Sequence, residues 1–259
     1  MHANFRELLI KMKVFVGTSG WHYSWNPDLS LDWYITNSGL NSIELNSSFY
    51  RFPFPNQVKG WANKTKLYNP KIRWSVKVNR LITHVFRFND NAFNKWKIFE
   101  NLFKPLDKFI YFYLFQLPPS FKSNNFEKIE KFFKKTKLKE RFALEFRNIE
   151  WFKDKWIDWA KKLKLTLVSV DAPEFTKFPR KIFNINGIVY LRMHGRKAWY
   201  SHNYTEKELE EVKYNIEKEN PKEVYVFFNN NHNMLENARK FLKAMSYGNI
   251  RRDKDNRRI

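Results

Sequence analysis

Glu44 and Glu145 each sit near the end of a short apolar run, and paired carboxylates so placed can exchange protons or hold a cation. With His194, whose imidazole titrates near neutrality, they are the candidate catalytic groups. Adding Asp171 gives a candidate metal set of Glu44, Glu145, Asp171 and His194; oxygen and imidazole ligands suit Mg²⁺, Mn²⁺ or Zn²⁺, although no histidine spacing matches a zinc motif. Lys77 and Arg192 can bind a phosphate or carboxylate, the arginine with two parallel bonds. The competing role is neutralisation, with Glu145 paired to Arg147, Arg192 or Lys77 as a buried charge requires.

The other candidate binding residues follow apolar runs. They are Thr18, Ser19 and Trp21 (with His22), Asn46 and Tyr50, Gln116, Arg147, Arg196 and Tyr200, and Asn229 and Asn230. Trp21, Trp25, Phe49 and Tyr50 can stack a base or a sugar ring, or simply fill the core. Trp151 and Trp199 lie near the same runs. His84 is a candidate general base or a hydrogen-bonded loop histidine. Ser19 has no nucleophile elbow around it and is not proposed as a nucleophile.

Positioning such scattered groups requires a repeated scaffold. Val14-Phe15-Val16 reads as a buried strand, and Gly17 and Gly20 let the chain turn sharply after it. Seven further runs predict strands over 42–46, 72–78, 109–115, 142–146, 166–170, 188–192 and 223–228. Between them, apolar residues at helical spacing predict helices over 29–35, 57–65, 91–103, 126–136, 155–163, 206–219 and 234–245. Asp171 to Gly187, with Pro173 and Pro179, predicts an irregular connection in place of the sixth helix. Eight alternating units imply parallel pairing, and in a single α/β domain of this length the economical architecture is a closed TIM (β/α)8 barrel. The barrel domain spans 14–246, between an N-terminal extension over 1–13 and a basic tail over 247–259. A doubly wound sheet is the alternative, but its phosphate-binding glycine fingerprint is missing.

The chain has 259 residues, 43% of them hydrophobic and 19% aromatic, enough for a large core built heavily from rings. It has no cysteine, which excludes disulfides, thiolate zinc sites and cysteine nucleophiles and fits a reducing compartment; the expected location is the cytoplasm. A net charge of +22 concentrates anions and points to nucleic acid, anionic lipid or phosphorylated molecules as partners, or to solvated lysines on helix faces. No apolar run approaches the length of a membrane span, so membrane insertion is not expected.

Six motifs occur in order: Gly17-Thr18-Ser19-Gly20-Trp21, Ile43 to Tyr50, Gln116 to Phe121, Glu145-Phe146-Arg147, Leu191 to Arg196 and Phe227 to Asn230. Together they resemble the YecE-like family, domain of unknown function 72, from about Val14 to Ala244. The resemblance implies a TIM barrel and no settled activity. It places the family's recurrent polar positions on most of the residues named above. The chain departs from the family pattern at Asn26-Pro27-Asp28-Leu29 and at the additional Asn231.

Three functions remain open from the residues. The first is hydrolysis of a phosphodiester, in nucleic acid or a phosphorylated ligand, possible with a divalent metal held by the carboxylates and histidine. The second is non-catalytic binding of nucleic acid or a nucleotide. The third is a carbohydrate enzyme that uses Glu44 and Glu145 as its carboxyl pair, which requires a clear gap between them.

Overall fold

The computed structural model describes residues 12–255, with side chains described to 246, so the expected extension over 1–13 and the end of the tail lie largely outside the described residues. Eight parallel strands form the barrel wall: β1 (Lys13–Thr18), β2 (Ser42–Leu45), β3 (Arg73–Lys77), β4 (Ile110–Gln116), β5 (Phe142–Glu145), β6 (Thr166–Asp171), β8 (Ile188–Met193) and β9 (Glu223–Phe228). They pair in the order β1-β9-β8-β6-β5-β4-β3-β2. Helices α1 (Leu31–Asn37), α2 (Pro55–Tyr68), α3 (Asp90–Phe103), α4 (Phe126–Thr136), α5 (Asp154–Leu163), α6 (Glu206–Lys218) and α7 (Met234–Asp255) surround the wall. The last of these runs past its expected end near Met245 into the basic segment.

After β6 there is no α-helix. A 3₁₀ turn at Glu174–Thr176 and a two-residue strand, β7 (Asn184–Ile185), occupy the connection, and β7 pairs antiparallel with β8. Gly187, at φ +83°, makes the tight turn between them.

The ring closes through side chains where β1 meets β2. Asn41 accepts from the Val16 amide and donates to the Val14 carbonyl, both at 2.8 Å, so its amide takes the place of a peptide unit of a neighbouring strand. Tyr34 Oη accepts from the Thr18 amide at 3.1 Å and donates to the Ser42 carbonyl at 2.8 Å. Gly17 allows this approach, because a Cβ there would lie 2.2 Å from the Ser42 oxygen.

Successive strand residues alternate between the barrel interior and the helix layer. Residues such as Trp74, Phe115, Phe142 and Leu191 face outward into the large core beneath the helices. On α4, Ile129, Phe132 and Phe133 face that core while the lysines face water. The rings of Phe115 and Phe142 stack there at 3.9 Å. Inside the barrel, Phe112, Leu114, Ala143, Val168, Val170, Tyr190, Tyr225 and Phe227 form a second packed cluster. Below it, Arg73 lies between the rings of Phe15 (3.6 Å) and Tyr111 (4.0 Å) and pairs with Glu223 at 2.9 Å. The interior is therefore filled, and functional groups are confined to the strand C-terminal end. Among the described residues no helix is long and apolar enough to cross a membrane.

Candidate functional site at the barrel mouth

Above Tyr190 and Phe227 the inward positions turn polar. Glu44 on β2, Glu145 on β5 and Arg192 on β8 are fully buried, and the guanidinium lies between the two carboxylates. Arg192 Nη2 and Nε donate to Glu44 at 2.7 and 3.0 Å, and Nη1 donates to Glu145 Oε2 at 2.6 Å. Ser19 Oγ and Tyr190 Oη also donate to Glu44, at 2.7 and 2.6 Å. Gln116 Nε2 donates to Glu145 Oε1 at 2.9 Å, and Arg147 Nε forms an ion pair with the same oxygen at 2.5 Å. Arg192 also reaches Asn46 Oδ1 at 3.3 Å.

Burial opposes ionisation of Glu145, yet Arg147, Arg192 and His194 outweigh it and hold the carboxyl well below its ordinary range. Burial likewise works against the Arg192 charge, and Glu44 and Glu145 reverse it, so the guanidinium stays protonated. His194 is pushed well below its usual value by burial and then by Arg192 and Arg147, which leaves it neutral. Arg147 Nη2 donates to its Nε2 at 3.0 Å, and its Nδ1 lies 3.3 Å from Asn229 Nδ2. Lys77, at the end of β3, is lowered to about 7, first by burial and then by Arg192. Its amine has the Phe49 ring at 4.1 Å and no hydrogen bond or ion pair among the described residues. The two carboxylates are thus balanced by two arginines, and Lys77 is the surplus cation.

The rim is aromatic. Arg147 stacks on Trp199 at 4.6 Å, and the rings of Trp199 and Tyr200 lie 5.4 and 5.6 Å from His194. Tyr50 packs edge-on to Phe49, and His84 meets the same ring at 5.0 Å. Burial, followed by Lys77 and the nearby arginines, lowers His84 to about 4.

The structure gathers Ser19, Glu44, Asn46, Lys77, Gln116, Glu145, Arg147, Arg192, His194 and Asn229 into one cup, with Tyr50 and Tyr200 at its edge. It separates the rest. Val168, Val170 and Ala172 face inward, so Asp171 faces the helix layer; there it pairs with Arg196 at 3.0 Å and accepts from Tyr204 Oη at 2.9 Å. Arg196 continues to Glu211 on α6 at 2.8 Å. Asn230 follows the inward Asn229 and faces out, donating to the His202 carbonyl and to Asn237, both at 2.7 Å. Thr18 also faces away, its hydroxyl on the Gly20 carbonyl at 2.7 Å. Trp21 packs against Trp61 and Trp74, Trp25 stacks on Tyr23, and Trp151 is buried against Phe146. His22 is exposed, with Nδ1 3.0 Å from the Leu29 carbonyl.

Two expectations are corrected by this geometry. The metal set of Glu44, Glu145, Asp171 and His194 is not assembled: Asp171 lies in the other layer, and no group of three such ligands occurs among the described residues. The oxygens of Glu44 and Glu145 are already taken by Arg192, Arg147, Tyr190, Ser19 and Gln116, so the residues present do not fit a divalent ion. The carbohydrate reading fails for the same reason, since Arg192 lies between the carboxyls where a glycosidic bond must sit. Tyr190 and Ser75, which hydrogen-bond at 2.7 Å beneath Glu44, were not among the sequence candidates. Their signal is position, two residues before Arg192 and two before Lys77 on the same strand faces.

Comparison with known proteins fits this architecture. A DUF72 family protein from Enterococcus faecalis V583 superposes with a TM-score of 0.76 at 23% identity, covering 91% of this chain and 98% of that chain. A DUF72 family protein from Thermotoga maritima MSB8 gives 0.74 at 26% identity, covering 90% of this chain and 99% of that chain. A D-psicose 3-epimerase structure gives 0.56 at 11% identity over 91% of this chain and 99% of that chain, a likeness of fold alone. No curated protein matches the chain. The model of the protein family of unknown function DUF72 matches residues 15–257, and the chain belongs to that family.

Proposed function

We propose that the strand-end face of the barrel binds single-stranded nucleic acid or a nucleotide, with a phosphate held at the cup by Arg147. The observation that carries this reading is the pairing of basic loops with uncovered rings. The loops that follow the barrel strands (19–30, 46–54, 78–89, 117–125, 146–153, 172–183, 194–205 and 229–233) hold eleven Lys or Arg against three Asp or Glu. On the same loops, Tyr50, Phe54 and Phe175 are 72%, 69% and 67% exposed. Cations that track a backbone and rings that stack its bases are the two requirements of single-strand binding.

A second reading, hydrolysis of the bound phosphodiester, is favoured by the neutral His194 beside Arg147. Arg147 would have to turn from His194 Nε2 onto the phosphate, and the imidazole nitrogen so released would take a proton from water.

Fluorescence anisotropy of a labelled oligothymidylate tests the binding. Affinity should fall with salt, with a log–log slope of about −0.7 for each phosphate neutralised. Tyr50→Ala and Phe54→Ala should each weaken it by about 1–3 kcal/mol. Absence of binding at low salt, or binding indifferent to both substitutions, would contradict the reading. Nicking of the oligonucleotide in the presence of EDTA, lost in His194→Gln, separates hydrolysis from binding alone.

A further inference from the structure

We infer that the Lys77 side-chain amine forms an imine with the aldehyde or ketone group of a small anionic compound seated in the cup. This rests on the anion-binding reading and adds a covalent step to it. Lys77 faces inward at the end of β3, and the carboxylates that would normally pair with it are committed to arginines. The charged and titratable groups whose fields reach its nitrogen are Arg192 from β8, Glu145 and Arg147 from β5 and the loop after it, Glu44 from β2, and His84 from the turn after its own strand. Desolvation and the two guanidiniums make the charged form costly, so the amine is substantially free near neutral pH. A free amine beside a guanidinium that can anchor a phosphate or carboxylate is the minimal apparatus for imine formation.

In that step the nitrogen lone pair adds to the carbonyl carbon and the C=O π pair moves to oxygen. One nitrogen proton passes to that oxygen. The carbinolamine then expels its hydroxyl, which leaves with the remaining N–H proton as water while the C=N bond forms. The step consumes no oxidant or reductant.

The test uses pyridoxal 5′-phosphate as the probe on the full chain at pH 7, followed by borohydride reduction and peptide mapping by mass spectrometry. Lys77 should be labelled about tenfold or more faster than the typical surface lysine, because a lowered pKa leaves far more free amine. Inorganic phosphate should protect it, and pyridoxal without the phosphate should react more slowly. Lys77→Met should lose this adduct while keeping the wild-type circular dichroism spectrum. Parallel trapping with glyceraldehyde 3-phosphate and with pyruvate distinguishes a phosphorylated aldehyde from a 2-oxo acid. Labelling spread evenly over the lysines, or an unmodified Lys77, overturns the inference. Phosphate binding measured separately by calorimetry then decides whether the anion-binding reading falls with it.

Discussion

Arg192 is the residue on which the mouth of the barrel depends, since it neutralises two buried carboxylates that have few other sources of positive charge. Replacing it by Met leaves Glu44 and Glu145 buried together, and the loss in stability at neutral pH should be about 3–5 kcal/mol. The sign of the pH dependence follows from Glu145. Its folded value is depressed, so its contribution is present above the unfolded value of 4.5 and is lost as pH falls towards the folded value. The gap between wild type and Arg192→Met in urea unfolding should therefore narrow below pH 4.5; a gap that stays constant on acidification would contradict this account. Lys77 gives the same sign in a higher pH window. Between about 7 and 10.5 the unfolded lysine keeps a proton that the native one has shed, so stability rises with pH across that window. Lys77→Met should flatten the rise, and parallel stability–pH curves for the two proteins would argue against an unpaired, buried amine.

At the scale of the element, the strands were legible because runs such as Phe142 to Glu145 and Glu223 to Phe228 are short, apolar and rich in β-formers or rings. The missing helix after β6 was legible from Pro173 and Pro179. Strand β7 was not, because two residues carry no periodic signal. The alternation within strands decides which site candidates meet: Arg192 and His194 on β8 and beyond it face the cup, while Asp171 on β6 falls on the other parity. Arg196 follows β8 at an even number, yet it sits in a loop, where strand parity no longer governs direction. The Asn41 bridge was illegible for another reason, since an asparagine ahead of a strand reads as a turn residue. Asn41→Ala should cost about 1–3 kcal/mol by orphaning the Val16 amide. Gly17→Ala should cost as much or more, because its Cβ would force the seam apart. Because both act on one seam, the double variant should lose less than the two single losses combined. Urea unfolding measures all three, and independent, near-zero effects would mean that the seam does not hold the ring closed.

Over the whole molecule, charge alone does not choose a binding face. The loops at the opposite end of the barrel (38–41, 69–72, 104–109, 137–141, 164–165 and 219–222) hold eight Lys or Arg against three Asp or Glu, so both ends are basic. Uncovered apolar side chains separate them. Of twelve large hydrophobic residues exposed among the described residues, seven lie on the strand-end loops: Leu29, Tyr50, Phe54, Val85, Ile149, Phe175 and Tyr200. Hydrogen–deuterium exchange with and without a short oligothymidylate tests this choice of face most directly. The account predicts slower exchange in loops 46–54, 172–183 and 194–205 and no change in 69–72, 104–109 or 137–141. Protection confined to that second group would contradict it.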